Sequence, residues 1–326
     1  MKRLLALLLA LLVHLMTLAF LVLGAWTILA HADSLLAWLL GGLCLAIGWV
    51  LRPRLARLPA DAETLEHDSA PELYAVAERV ADRVGVTRPR KIAIRDLAAE
   101  TGYDRVGLAR TPVLVVGLPL WLALPPRQRV TLLASAYARV PTGEELIVGG
   151  ALDTLEAWRD ALMEAGPLRV REEAHTTITA ASLGVADQPG TAYEVAGFFG
   201  RLLGRVLGAP VLLMRYALSR LARAGEPRTR ERRQALTRRV ASAAEQAELE
   251  ELRSGGYLAP MQAAALRGEN AASIRQAALA RSRLTADGVL AAAPHCDLLG
   301  TRASERIDDE LQTYYARAIR GFGLIS

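Results

Sequence analysis

From Leu4 to Ala32 the chain carries no Asp, Glu, Lys or Arg, and from Ser34 to Leu51 there is again none. Two uncharged runs in succession exclude a purely soluble chain, because about 20 apolar residues, each rising about 1.5 Å in a helix, cross the hydrocarbon core of a bilayer. Leu4–Ala30 supplies 27 residues, enough for a tilted helix, and Ser34–Leu51 supplies 18, just enough. A cleaved signal peptide is the rival reading of the first run, with Lys2 and Arg3 as its basic start and Ala30-His31-Ala32 as its cleavage site. The apolar stretch is longer than the roughly 7–15 residues such a peptide uses. Lys2 and Arg3 precede the first run, Arg52, Arg54 and Arg57 follow the second, and the link His31-Ala32-Asp33 is not basic. The positive-inside bias then predicts a transmembrane hairpin over 1–57 with both ends cytoplasmic, hence a multi-pass protein of the inner membrane whose remaining chain, 58–326, faces the cytoplasm. His14, one neutral imidazole on an apolar helix, is read as tolerated packing rather than as a functional intramembrane group.

Composition narrows the chemistry. Two cysteines, Cys44 and Cys296, exclude a disulfide framework and a cysteine-built zinc site, so a metal would need His and carboxylate ligands. Of the 39 basic residues only Lys2 and Lys91 are lysines, a bias read as the codon usage of a GC-rich bacterial genome. The dense run Arg228–Arg239 has few aromatics nearby on which bases could stack, so no nucleic-acid partner is expected.

After a polar linker over Leu58–Asp68, Ser69-Ala70-Pro71-Glu72 has capping-box spacing and predicts a helix start. Leu73, Val76, Ala77, Val80 and Val84 form its apolar face, with Glu72, Glu78, Arg79, Asp82 and Arg83 turned to water, and Gly85 ends it. Three β-prone stretches follow, Lys91–Arg95, Arg105–Ala109 and Pro112–Val116, and predict a small antiparallel sheet. Pro125-Pro126 opens a second helix with Val130, Leu133, Ala134, Tyr137 and Val140 as its buried stripe. On its other face Ser135 and Arg139 lie four apart, one above the other.

A membrane hairpin, "PELYAVAERVADRVGV", a strand pair ending in "TPVLVVGLPLWLALPPRQRVTLLA" and then a helix resemble, in order and spacing, the membrane-bound zinc metallopeptidases of the HtpX and CAAX-prenyl-protease type. The resemblance implies a zincin-like domain whose helix after the sheet bears HExxH, two histidines holding zinc and a glutamate acting as general base. Those five positions fall here on Ser135, Ala136, Tyr137, Ala138 and Arg139, so both histidines and the glutamate are replaced. The family's third ligand, a glutamate in a segment close to Arg-x-x-Glu-x-x-Ala-Asp, falls on Arg233, and the aspartate falls on Thr237. Glu231 is no substitute, since sliding by two turns a residue by about 200° around a helix. Arginine brings a fixed positive charge and no lone pair, so the zinc of the family is expected to be lost and no cofactor is predicted. Glu172, Glu173 and His175 form the only compact acid/His cluster and are read as an exposed helix or loop.

The resemblance runs to about Ala244. Ala196–Leu221, interrupted by Arg201, Arg205 and Arg215, is too broken to cross a bilayer and is read as an apolar helix (196–221) lying at the membrane surface or against the hairpin. Arg215–Arg239 holds nine arginines against Glu226 and Glu231, which suits either anionic lipid or a solvated helix face. Ile307, Leu311, Tyr314 and Tyr315 give a C-terminal amphipathic helix over 304–323, with Pro294-His295 a faint echo of a histidine-proline segment in the family.

The expected architecture is α+β and mostly helical, a transmembrane hairpin followed by a zincin-like domain with a small sheet. The expected function is that of a catalytically inactive, membrane-anchored relative of these peptidases, binding a polypeptide in the former cleft or serving as a regulator or scaffold. Two alternatives stand beside it: a working peptidase with non-standard ligands or with Ser135 as nucleophile, and a membrane-anchored helical interaction protein unrelated to peptidases, which a fold without a sheet between Lys91 and Val116 would favour.

Overall fold

Glycine decides how the first two helices meet. In a computed structural model, which describes residues 2–50, 52, 56–107, 109–163, 191–282 and 297–323, α1 (Lys2–Ala30) and α2 (Leu35–Val50) form an antiparallel pair. A Cβ on Gly24 would stand 2.7 Å from the Gly41 carbonyl oxygen and 2.9 Å from the Leu45 nitrogen. A Cβ on Gly41 would stand 2.5 Å from Ile28 Cγ1, and one on Gly48 2.6 Å from Leu21 Cγ. The backbones therefore approach where larger residues would hold them apart. The link is held by Ser34 N–H donating to His31 O (3.1 Å) and Trp38 Nε1 donating to Ala32 O (2.8 Å). By length and composition α1 can cross a membrane, whereas α2, at 16 residues, is a shorter apolar helix. The second predicted span is thus not reached among the described residues.

The chain divides into two compact units, Met1–Arg54 with Pro141–Pro227 and Leu55–Val140 with Arg228–Ser326, where the sequence suggests a single boundary after residue 57. In the first unit an unexpected helix, α6 (Gly143–Met163), packs on α1. Its start does carry a capping box: Thr142 N–H donates to Glu145 Oε2 (2.8 Å), and Glu145 N–H donates back to Thr142 Oγ1 (3.3 Å). Ala6, Ala10, Val13, Ala151 and Leu155 make a buried cluster with Val211 and Leu218 of the long helix α7 (Thr191–Thr237). Phe20 meets Trp158 with ring centroids 5.7 Å apart. The large residues Leu4, Leu8, Leu11 and Leu15 stay outside, each more than half exposed. The predicted surface helix at 196–221 lies within α7, where Leu213 and Tyr216 are exposed.

The second unit is built around a four-stranded sheet in the order β1-β2-β4-β3, from β1 (Ala62–Leu65), β2 (Lys91–Arg95), β3 (Gly102–Val106) and β4 (Thr111–Gly117). The expected antiparallel sheet is in fact mixed, because β2 pairs with β4 in parallel while β1–β2 and β3–β4 are antiparallel. The link from β2 to β3 crosses the end of β4 at Gly117, where a Cβ would collide with the Ala98 carbonyl oxygen, so β4 comes to lie between them. β3 begins earlier than predicted, because Gly107 and Arg110 adopt left-handed φ values of 73° and 48° and turn the chain there. Tyr103, buried in β3, sends its hydroxyl to Thr87 O (2.7 Å). The predicted linker contains β1, an edge strand whose Glu63 and Thr64 face water while Leu65 is buried.

Helix α3 (Pro71–Val84) buries its predicted stripe and ends at Gly85, whose φ of 84° is the left-handed C-cap that glycine permits. Its N-terminus corrects the expected cap. Ser69 bonds to Glu66 O instead (2.8 Å), and the carboxylate of Glu310 accepts from the N–H groups of Glu72 (2.8 Å) and Leu73 (3.2 Å). A distant acid thus fills the role that local spacing assigned to Ser69. After α4 (Leu118–Ala123) and α5 (Pro126–Ala138) come α8 (Ala243–Glu251), α9 (Leu258–Leu266) and α10 (Ala271–Ser282). The predicted tail helix is two helices, α11 (Thr301–Glu310) and α12 (Gln312–Gly323), because the chain turns at Leu311 (φ −94°, ψ 2°) and presses Ile307, Leu311 and Tyr315 into one core.

Candidate functional site

Helix α5 places the residues on which the resemblance turns. It packs against α3 and α8, and its middle is buried on nearly all sides: Leu132, Leu133, Ala134, Ala136, Tyr137 and Ala138 are closed to solvent. Ser135 is half-buried and Arg139, at the C-cap, is exposed, so the two predicted positions do share the open face of the last turn. Ser135 Oγ donates to Leu132 O (2.8 Å), which commits its proton to the backbone and leaves no base engaged with it. Ala136 stands in the core, where a glutamate would be a buried carboxylate. Tyr137 donates to Ala77 O (2.9 Å) and meets Tyr103 edge-on, with centroids 5.0 Å apart. Burial drives its phenol far above the ordinary tyrosine value, which removes it as an acid or base.

Arg233 and Thr237 lie one turn apart on α7. Thr237 is buried and donates to Arg233 O (2.9 Å), while Arg233 is exposed. The end of α7 is tied to the end of α5 by the neighbouring residue, Arg232, whose Nη2 donates to Val140 O (3.0 Å). The charge of Arg139 bears on Arg253, which no sequence motif singles out. Arg253 sits in a single π-helical turn (Leu252–Gly256) after α8, with its side chain 18% exposed and 4.0 Å from Glu250. Burial lowers the Arg253 guanidinium below its usual value, and the charge of Arg139 lowers it further, against the opposing pull of Glu250, Glu100 and Tyr257. The only signal for it in the sequence is the pair Gly255-Gly256, which ends the helical pattern just after it. A zincin's zinc requires imidazole or carboxylate donors, and Ser135, Ala136, Arg139, Arg233 and Thr237 present two hydroxyls, a methyl and two guanidiniums instead. These residues do not fit the metal. Among the described residues no three His, Cys, Asp or Glu side chains cluster to hold one elsewhere. Glu172, Glu173 and His175, and likewise Pro294-His295, lie outside the described residues.

A second constellation at the opposite end of α5 is absent from the sequence expectations. Arg129, fully buried, donates through Nε to Trp121 O (3.0 Å), through Nη1 to Ser304 Oγ (2.9 Å) and through Nη2 to Asp308 Oδ1. Its guanidinium lies 4.9 Å from the Trp121 ring centroid. Asp308 also accepts from Arg275 Nε (3.1 Å) and from the Tyr315 hydroxyl (2.9 Å), and Arg275 Nη1 donates to Leu122 O (2.7 Å) and Leu124 O. Burial opposes ionisation of Asp308, but the two guanidiniums outweigh it and hold the carboxyl below its usual range. Burial and the neighbouring Arg129 push Arg275 down to about 10, still charged at neutral pH. With every group spent on another, this cluster fastens α4 and α5 to α10, α11 and α12 rather than offering a site.

Compared with known proteins, the chain matches no family model, no curated protein and no solved structure.

Proposed function

We propose that the chain is a membrane-anchored, catalytically inactive relative of the HtpX-like zinc metallopeptidases that binds a polypeptide, as a regulator or scaffold, over the end of α5. The observation that carries this reading is the exposed Arg139 on one face with Ser135 at the last turn of α5, where the resemblance expects two metal-binding histidines. A dication is repelled there, while the carboxylates and carbonyls of a peptide find donors. In this reading α1 and α2 hold the chain in the inner membrane, multi-pass, with the sheet-bearing unit in the cytoplasm, and Arg215–Arg239 rests on anionic lipid. The sheet formed by β2 and β4 between Lys91 and Gly117 speaks against the alternative of a purely helical interaction protein. The committed proton of Ser135 speaks against a serine peptidase.

The test uses the full chain reconstituted in vesicles and given reduced casein as an unfolded polypeptide. Retention without cleavage is the expected outcome, with retention weakened by Arg139→Glu. Cleavage that a zinc chelator abolishes would overturn the inactive reading, and equal retention by the variant would overturn the role of Arg139.

A further inference from the structure

Beyond Lys2 and Arg3 at its start, His14 is the one ionisable side chain of α1, and the first unit builds a cavity beside it. The cavity measures about 440 Å³ and is lined by Thr17, Leu18 and Leu21 of α1, by Leu146 and Ile147 of α6, by His14 and by Arg52. His14 Nε2 lies 3.1 Å from Ile147 O, and since a carbonyl oxygen only accepts, this nitrogen carries the hydrogen. Nδ1, the acceptor of an imidazole whose hydrogen is on Nε2, is buried and without a partner among the described residues. Thr17 offers nothing to a ligand through its proton, which goes to Val13 O (3.2 Å). Arg52 is the only charged residue of the lining. Its guanidinium rests over the Trp49 ring, 3.7 Å from the centroid, and has no carboxylate partner among the described residues.

An apolar trough with a free cation and a buried acceptor fits an amphiphile with a long chain, an anion and a hydroxyl donor. We infer that the cavity holds one acyl chain of a bilayer phospholipid whose head group is anionic and hydroxyl-bearing, of the phosphatidylglycerol type. The chain lies on Leu18, Leu21, Leu146 and Ile147, the phosphate pairs with Arg52, and a head-group hydroxyl donates to His14 Nδ1. Two features select a lipid over a free anion. The lining is otherwise apolar, and α1, which supplies Leu18 and Leu21 to it, also exposes Leu11 and Leu15, a surface suited to acyl chains. This inference rests on α1 lying in a membrane, and is otherwise independent of the peptidase resemblance.

The experiment is native mass spectrometry of the full-length protein in detergent, offered phosphatidylglycerol, phosphatidylcholine of the same chains, or inorganic phosphate. One phosphatidylglycerol is expected to stay bound in preference to phosphatidylcholine, with no retention of phosphate alone. Arg52→Gln should lower that preference about fivefold, the scale of one basic residue at a lipid surface, and His14→Leu should weaken phosphatidylglycerol more than phosphatidylcholine. Leu146→Trp, which fills the trough from the exposed face of α6, should displace both lipids. Flotation of each variant with membranes separates loss of this site from loss of anchoring. Unchanged lipid ratios in Arg52→Gln and Leu146→Trp, with the protein still membrane-bound, would overturn the inference, and so would retention of phosphate alone.

Discussion

The two compact units bury opposite things. In the first, Ala6, Ala10, Val13 and Ala151 are inside while Leu4, Leu8, Leu11 and Leu15 of α1 are outside; in the second, Trp121, Leu73, Leu114 and Leu132 are inside. The second unit even buries two arginines, which it can do because Asp308, Ser304, Tyr315 and backbone carbonyls occupy their donors. The contrast is the one that the proposed membrane setting of the first unit would produce. Where the neighbours outside are as apolar as leucine, close packing of small residues is what remains to hold helices together. Where the outside is water, large apolar side chains are driven in and any polar group that follows them must be matched.

The largest expected effect breaks the second unit at its buried charges. Asp308→Ala leaves Arg129 and Arg275 facing each other without an anion and should cost about 3–5 kcal/mol of stability, read from the denaturant midpoint of the full-length protein in detergent. The same carboxylate sets a pH dependence. Its folded value lies below the ordinary 3.8, so its contribution is fully present above that pH and is lost as pH falls through the lower folded value, a loss that Asp308→Asn should remove.

The first unit is probed by two glycines one residue apart in sequence. Gly41→Ala drives a methyl into Ile28 and the Gly24 carbonyl and should cost about 1–3 kcal/mol of hairpin stability, whereas Gly42, with nothing within 4 Å, should accept Ala without loss. Equal effects at the two positions would mean that the α1–α2 contact is not the one described. The smallest effect is that of Tyr137→Phe, which strands the Ala77 carbonyl and should cost about 1–2 kcal/mol while leaving polypeptide binding unchanged.

What the sequence makes legible follows from locality. The stripe of α3, its glycine stop, the uncharged run of α1 and the sharing of one face by Ser135 and Arg139 are all set within a turn or two of chain, and all are present. What fails involves distance along the chain. No local pattern reveals that Glu310 caps α3, that β4 inserts between β2 and β3, or that Asp308 draws Arg129 and Arg275 together. The same holds at the candidate site. Spacing from the family pattern points to Arg233, but the guanidinium that the charge of Arg139 helps to lower is that of Arg253, in the turn after α8.

The proposed reading turns on Arg139 standing where the resemblance expects a metal ligand, and the metal content of the full-length protein, purified without chelators from cells grown with ample zinc, tests it most directly. The account predicts zinc far below one ion per chain. One tightly held zinc per chain would contradict it.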